Sequence, residues 1–179
     1  VILRVNDITD TVKQLSGTEQ LADYPTLAAL QEEGICEFLS PLEQEFTVVR
    51  EYDHIRVEGT VSTKVTMVCS RCLTPYPLDL QSSFTIFYSK AIANLPQDEE
   101  VELSEKELIS ATYSGDEIDL APEVAEHVII ELPLKPLCTD ACRGLCSVCG
   151  IDLNSSSCNC TEQKGSLAFS VLKNLKLDR

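Results

Sequence analysis

Tryptophan is absent, methionine occurs once and histidine twice in 179 residues. Cations are scarce too: 14 lysines and arginines face 29 aspartates and glutamates, a formal net charge of −15. A chain so acidic does not hold nucleic acid over its whole surface by neutralising phosphates. No apolar run approaches the roughly 18 residues that a membrane-spanning helix requires, so no membrane partner is expected. The G-x-S-x-G elbow, the P-loop and the dinucleotide fingerprint are missing, and with them the usual signatures of acyl, phosphoryl and hydride transfer. Residues 1–15, "VILRVNDITDTVKQL", lack the basic start and apolar run of a secretory signal. The chain starts at valine rather than methionine, which leaves room for a trimmed targeting segment upstream.

What the chain does have is 44% hydrophobic residues and nine cysteines. An acidic chain with enough apolar content for a core needs no disulfide staples, so a reducing compartment fits best. The sequons at Asn154 and Asn159 are then accidental. Charge is uneven along the chain: residues 97–132 hold one lysine and 12 acids, whereas residues 133–179 hold six basic and four acidic side chains. The acids at 98–107 and 116–119 follow no pattern and read as a solvated face. His54 and His127 read as packing or solvent-facing residues.

Residues 1–6 suggest a short strand, and "TEQLADYPTLAALQEEG" short helical pieces broken near Pro25 and stopped at Gly34. The clearest periodicity runs from Ile55 to Met67. Ile55, Val57, Val61, Val65 and Met67 share one face, and Arg56, Glu58, Thr60, Ser62, Lys64 and Thr66 the other, which predicts a half-buried strand. Leu78, Leu80, Phe84, Ile86 and Tyr88 repeat the pattern. Two such strands joined by "VCSRCLTPYP" make an antiparallel hairpin with Cys69 and Cys72 at its tip. Residues 93–109 read as a polar, acidic connection. "GDEIDLAPEVAEHVIIELP" predicts a helix capped by Asp119, with Pro122 in its first turn and Pro133 at its end. A final helix is expected over 165–178, with Leu167, Val171, Leu172 and Leu175 on one face.

Cys36 aside, the cysteines fall into four close pairs: 69/72, 138/142, 146/149 and 158/160. Tetrahedral zinc takes four thiolates at about 2.3 Å, and a chain usually supplies them as two short-range pairs. Four pairs are the count for two closed sites. Gly150, directly after Cys149, suits the positive φ of a knuckle turn, and Gly144 frees the backbone between pairs. Cys158 and Cys160 are too close in sequence to bridge each other comfortably, yet both can reach one ion. The short polar loop "GIDLNSSS" lets 146/149 and 158/160 close one site locally. Cys69, Cys72, Cys138 and Cys142 then form the other. The crossed alternative joins 69/72 to 146/149.

Other readings of the sulfurs stay open at this level. A redox Cys69-x-x-Cys72 needs a helix N-terminus or a neighbouring cation; Arg71 supplies the cation, but a hairpin tip supplies no helix. Iron–sulfur clusters also use four cysteines. Cys36 reads as a buried small hydrophobe. Saturated zinc leaves no position for water or substrate, so closed sites shape the chain rather than catalyse. Two of them take the formal charge from −15 to about −19, because four thiolates outweigh one Zn²⁺ by two. Lys135 and Arg143 are candidates to offset part of it.

The ordered set "CSRCL", "IDL", "EHVIIELPLKPLC", "CRGLCSVCGIDLN", "CNC" and "FSVLKNLKL" resembles the YceD-like family of large ribosomal RNA subunit accumulation proteins, over roughly residues 35–177. The resemblance implies a bacterial cytoplasmic or plastid stromal factor that supports accumulation of large-subunit (23S) ribosomal RNA. Its implied partners are that RNA or ribosomal and assembly proteins, with no enzymatic activity and no small-molecule substrate. Some bacterial members keep "C-x-R-C" without the second cysteine group, which fits a self-contained second site.

The expected architecture is α+β. An antiparallel sheet domain with flanking helices and the hairpin-tip cysteines occupies 1–132. A cysteine-rich zinc module with a C-terminal helix occupies 133–179 and packs on the first part. The competing functional classes are a zinc-ribbon module for protein partners unrelated to RNA, and a thiol redox protein using Cys69 and Cys72.

Overall fold

The computed structural model describes residues 1–91 and 110–160. The acidic connection over 93–109 and the expected helix over 165–178 fall wholly outside them. The chain divides into two compact units, Val1–Met67 with Pro75–Leu134, and Val68–Thr74 with the chain from Lys135 onward. The fold is α+β, with antiparallel pairing dominant.

In the first unit, β1 (Ile2–Arg4) pairs antiparallel with β8 (Glu117–Asp119), Leu3 opposite Ile118. The main sheet runs in the order β2-β4-β5-β6-β7, with β2 at Lys13–Glu19, β4 at Leu42–Glu51, β5 at His54–Val68, β6 at Pro75–Lys90 and β7 at Ser110–Tyr113. The short β3 (Glu37–Phe38) pairs with β5. β7 lies parallel to β6, the exception to antiparallel pairing among the described residues. The long hairpin of β5 and β6 is the one that the alternation predicts, and its apolar face is buried at Ile55, Val57, Val61, Val65, Leu80, Phe84 and Tyr88.

Among the described residues two α-helices complete the unit: α1 (Pro25–Glu32), entered through proline and followed by Gly34 at φ 72°, and α2 (Ala121–Glu131). Asp119 is not the helix cap. It ends β8, and Leu120 takes the cap position, although the Asp119 carboxylate still accepts the Ala121 N–H at 3.0 Å. The pairing of β8 with β1 wins the residue for a strand.

Leu27, Leu42, Val48, Ile55, Val57, Val65, Leu120 and Val124 are fully buried in this core. Both histidines pack on aromatic rings. His127 of α2 lies flat on Phe84, centroids 4.1 Å apart, and His54 meets Phe87 edge-on at 5.3 Å. Gly59, within β5, makes room for that first stack: a Cβ there would stand 2.4 Å from Phe84 Cζ. The ring covers the glycine from the neighbouring strand, as aromatics do for strand glycines. Cys36 is buried in the same core, and burial pushes its thiol pKa up, which suits a small hydrophobe.

Candidate metal centres

The second unit contains all eight paired cysteines. Cys69, Cys72, Cys138 and Cys142 bring their sulfurs within 4.8 Å of one another, and so do Cys146, Cys149, Cys158 and Cys160. The chain therefore adopts the arrangement that the short 150–157 loop suggests and not the crossed one. In the first cluster Cys69 Sγ lies 3.7 Å from Cys142 Sγ, and Cys72 Sγ 3.7 Å from Cys138 Sγ. A tetrahedron with arms of 2.3 Å has edges of about 3.8 Å, while a disulfide closes to about 2.05 Å. The sulfurs stand at the spacing of ligands around one ion. Each cluster can hold a metal ion.

Two turns of the same design present the leading pair of each cluster. At residues 69–74, the Leu73 N–H donates to Cys69 O at 2.9 Å, Cys69 N–H to Thr74 O at 3.0 Å, and Arg71 N–H to Cys69 Sγ at 3.5 Å. At 146–151 the corresponding bonds are Gly150 to Cys146 O at 2.9 Å, Cys146 to Ile151 O at 2.8 Å, and Val148 to Cys146 Sγ at 3.4 Å. The residue after the second cysteine has positive φ in both, 59° at Leu73 and 72° at Gly150. The sequence announces the glycine; it gives no sign that a leucine holds the same conformation.

Arg71 is the cation that ties the first cluster together. Its Nη1 donates to Cys142 O at 2.7 Å and Asp140 O at 3.3 Å, pinning the segment that carries Cys142. Sequence reasoning weighed Arg71 only as an activator of a redox thiol, because its reach across about 70 residues of chain is not readable from local spacing. Gly144, at φ 72°, lets that segment approach: a Cβ would sit 2.9 Å from Arg71 O. Leu145 N–H then donates to the same carbonyl at 3.1 Å.

The electrostatics divide each cluster. Backbone N–H groups, led by that of Cys72, pull the Cys69 thiol down to about 6 despite burial, and the Cys149 N–H does the same for Cys146. Burial and the neighbouring Cys142 push Cys138 up to about 12; hydrogen bonding to Cys149 and Cys158 holds Cys160 at about 12. At Cys158 the Cys160 N–H pulls down, but Cys146 and burial outweigh it and the thiol is raised. Without a cation, four thiols this close do not all ionise. A divalent ion removes the restriction, so binding expels protons.

Burial separates the clusters. Cys69, Cys72 and Cys142 are 0%, 5% and 3% exposed, whereas Cys149 and Cys160 lie open to solvent.

The family model for the large ribosomal RNA subunit accumulation protein YceD matches residues 57–176, a span that includes all eight paired cysteines. Among curated relatives, the chloroplastic large ribosomal RNA subunit accumulation protein YCED homolog 1 of Arabidopsis thaliana is 24% identical over 157 residues, covering 76% of this chain and 49% of its own. The Zea mays homolog 1 is 26% identical over 147 residues, 68% of this chain and 49% of its own. An uncharacterized protein of Mycobacterium tuberculosis is 29% identical over 114 residues, 64% of this chain and 52% of its own. The chain thus spans about half the length of the curated relatives it matches. No solved structure matches it significantly. With the family model laid across both cysteine clusters and the hairpin that carries the first, the chain belongs to the YceD family of large ribosomal RNA subunit accumulation proteins.

Proposed function

We propose that this chain is a non-catalytic ribosome-biogenesis factor, a zinc-stabilised binding scaffold that supports accumulation of large-subunit (23S) ribosomal RNA in a bacterial cytoplasm or plastid stroma. The observation that carries the structural half is the interior of the second unit. Among its described residues the only buried side chains are the thiols of Cys69, Cys72 and Cys142. Where thiols are what the described residues bury, an ion held by those sulfurs supplies stabilisation. Zinc is the metal that best fits turn-borne tetrathiolate sites. All eight cysteines, 69, 72, 138, 142, 146, 149, 158 and 160, serve as ligands, which leaves no open position for substrate.

Family membership supplies the ribosomal half. The net charge of −15 favours a basic protein of the large subunit over the RNA backbone as the immediate partner, since opposite charge steers encounter and like charge penalises it. A redox role is poorly served at Cys69 and Cys72, whose burial denies an incoming disulfide access to either sulfur.

The test has two arms. Native mass spectrometry of the full chain is expected to find two zinc ions; folded protein carrying none overturns the metal reading. Depletion in cells is expected to lower 23S relative to 16S rRNA, with rescue by wild type and not by Cys138→Ser. An unchanged ratio overturns the ribosomal reading.

A further inference from the structure

Asn154 lies in the loop between Cys149 and Cys158, yet its amide nitrogen is 3.4 Å from Cys142 Sγ of the other cluster. The same Nδ2 donates to Asp152 Oδ1 at 2.8 Å, and Oδ1 accepts the Arg143 N–H at 2.7 Å. These contacts fix which end of the amide is which. Reversing it would set NH₂ against the Arg143 N–H and oxygen against the Asp152 carboxylate.

The loop is itself hydrogen-bonded to the segment that follows Cys142. Leu153 N–H donates to Gly144 O at 2.9 Å, and Leu145 and Asp152 form an isolated antiparallel bridge. Its two ends are the cysteines of the second cluster. A metal ion holding those ends would fix the loop, and with it the donor aimed at Cys142.

We propose that Asn154 is a positioning residue that couples the two metal sites. Filling the cluster of Cys146, Cys149, Cys158 and Cys160 orders the loop and presents the amide N–H to Cys142. That hydrogen bond spreads the thiolate charge and raises metal affinity at the cluster of Cys69, Cys72, Cys138 and Cys142. By linkage, filling the buried cluster tightens the exposed one by the same factor. Outer hydrogen bonds of this kind change metal affinity by about 10- to 100-fold. The inference rests on the reading that both clusters bind metal.

The experiment is a cobalt(II) titration of the full chain, read by thiolate-to-cobalt charge-transfer absorption against a competing chelator. Asn154→Asp removes the donor at constant shape but adds a charge, Asn154→Leu removes it without one, and Cys158→Ser with Cys160→Ser disables the exposed site. Each change is expected to weaken the buried site by about 10- to 100-fold, and the combination to weaken it no further than the stronger alone. Effects that multiply overturn the coupling, as does equal affinity with and without the Asn154 amide. A second readout uses the cadmium-113 spectrum of the fully loaded chain. Asn154→Asp should move one of the two tetrathiolate resonances and leave the other in place; two unmoved resonances overturn the contact. Failure of the wild-type chain to bind cobalt or cadmium at all overturns the metal reading itself, a result distinct from two bound ions with independent affinities.

Discussion

The described residues of the two units bury different chemistry. The first buries a continuous apolar face of β4, β5 and β6 together with α1 and α2, and its described residues include eleven fully enclosed aliphatic and aromatic side chains, among them Leu27, Leu42 and Leu120. In the second, the described residues bury three thiols and Gly144, while Val68, Leu73 and Val148 are about half exposed or more. Hydrophobic burial, at about 25 cal/mol per Å², accounts for the first unit and has little to act on among the described residues of the second. An ion held by those sulfurs would supply the stabilisation that the described residues of the second unit do not draw from apolar burial.

Removing metal should therefore break the comparison most visibly. Structural zinc contributes about 10–16 kcal/mol in small zinc-binding peptides, so a strong chelator should unfold the second unit and leave the strands of the first. Hydrogen exchange checks this: amides of 69–74 and 142–153 should lose protection while those of β4, β5 and β6 keep it. Loss of protection in both units together would mean that they are one cooperative body.

Acid acts in the same direction. Cys138 and Cys160, held at about 12, must release protons to bind, so metal affinity rises with pH. The depressed Cys69 and Cys146 favour the folded state above the ordinary thiol range, and lose that contribution as pH falls through about 6. Zinc release followed by a chromogenic chelator should accelerate as pH falls, because protons compete with the ion for every thiolate. A flat profile between neutrality and about pH 5 would contradict thiolate ligation.

The first unit should respond to volume instead. Leu27→Ala removes a fully buried side chain and should cost about 2–5 kcal/mol in chemical denaturation, with metal stoichiometry unchanged. Gly59→Ala should cost about 1–3 kcal/mol, because the Phe84 ring it would strike is backed by His127 and has little room to yield. The smallest contrast lies between the two turns. Gly150→Ala forces a Cβ into left-handed backbone and should weaken the exposed site by about 1–2 kcal/mol, whereas Leu73→Gly should relieve a similar strain at the buried one. Metal competition titrations of both variants measure the pair.

The parts of this molecule legible in the sequence are those where one side chain's environment repeats along the chain. The alternation from Ile55 to Met67 shows the central strand because each second residue meets the same core. The four cysteine pairs stand out because ligand spacing is local, and the eight-residue loop indicates which pairs meet. β2 carries only Leu15 as an apolar residue among Lys13–Glu19, so an edge strand with two polar faces leaves no period to read. β8 hides in front of a helix whose capping signal claims Asp119. Arg71 and Asn154 are equally opaque, since their partners lie 71 and 12 residues away and nothing local encodes the contact.

The separation between Cys72 and Cys138 is 66 residues. A chain made at about 5–20 residues per second presents the hairpin-tip thiols about 3–13 s before their partners exist. Until then the tip of β5 and β6 can hold an ion with only two sulfurs, and water or small cellular thiols must fill the remainder. The exposed site spans only the 14 residues from Cys146 to Cys160, so its four thiols appear within about 1–3 s of one another. Cys142 completes the buried set 18 residues before Cys160 completes the exposed one, so the cluster begun first is also completed first, after much the longer wait.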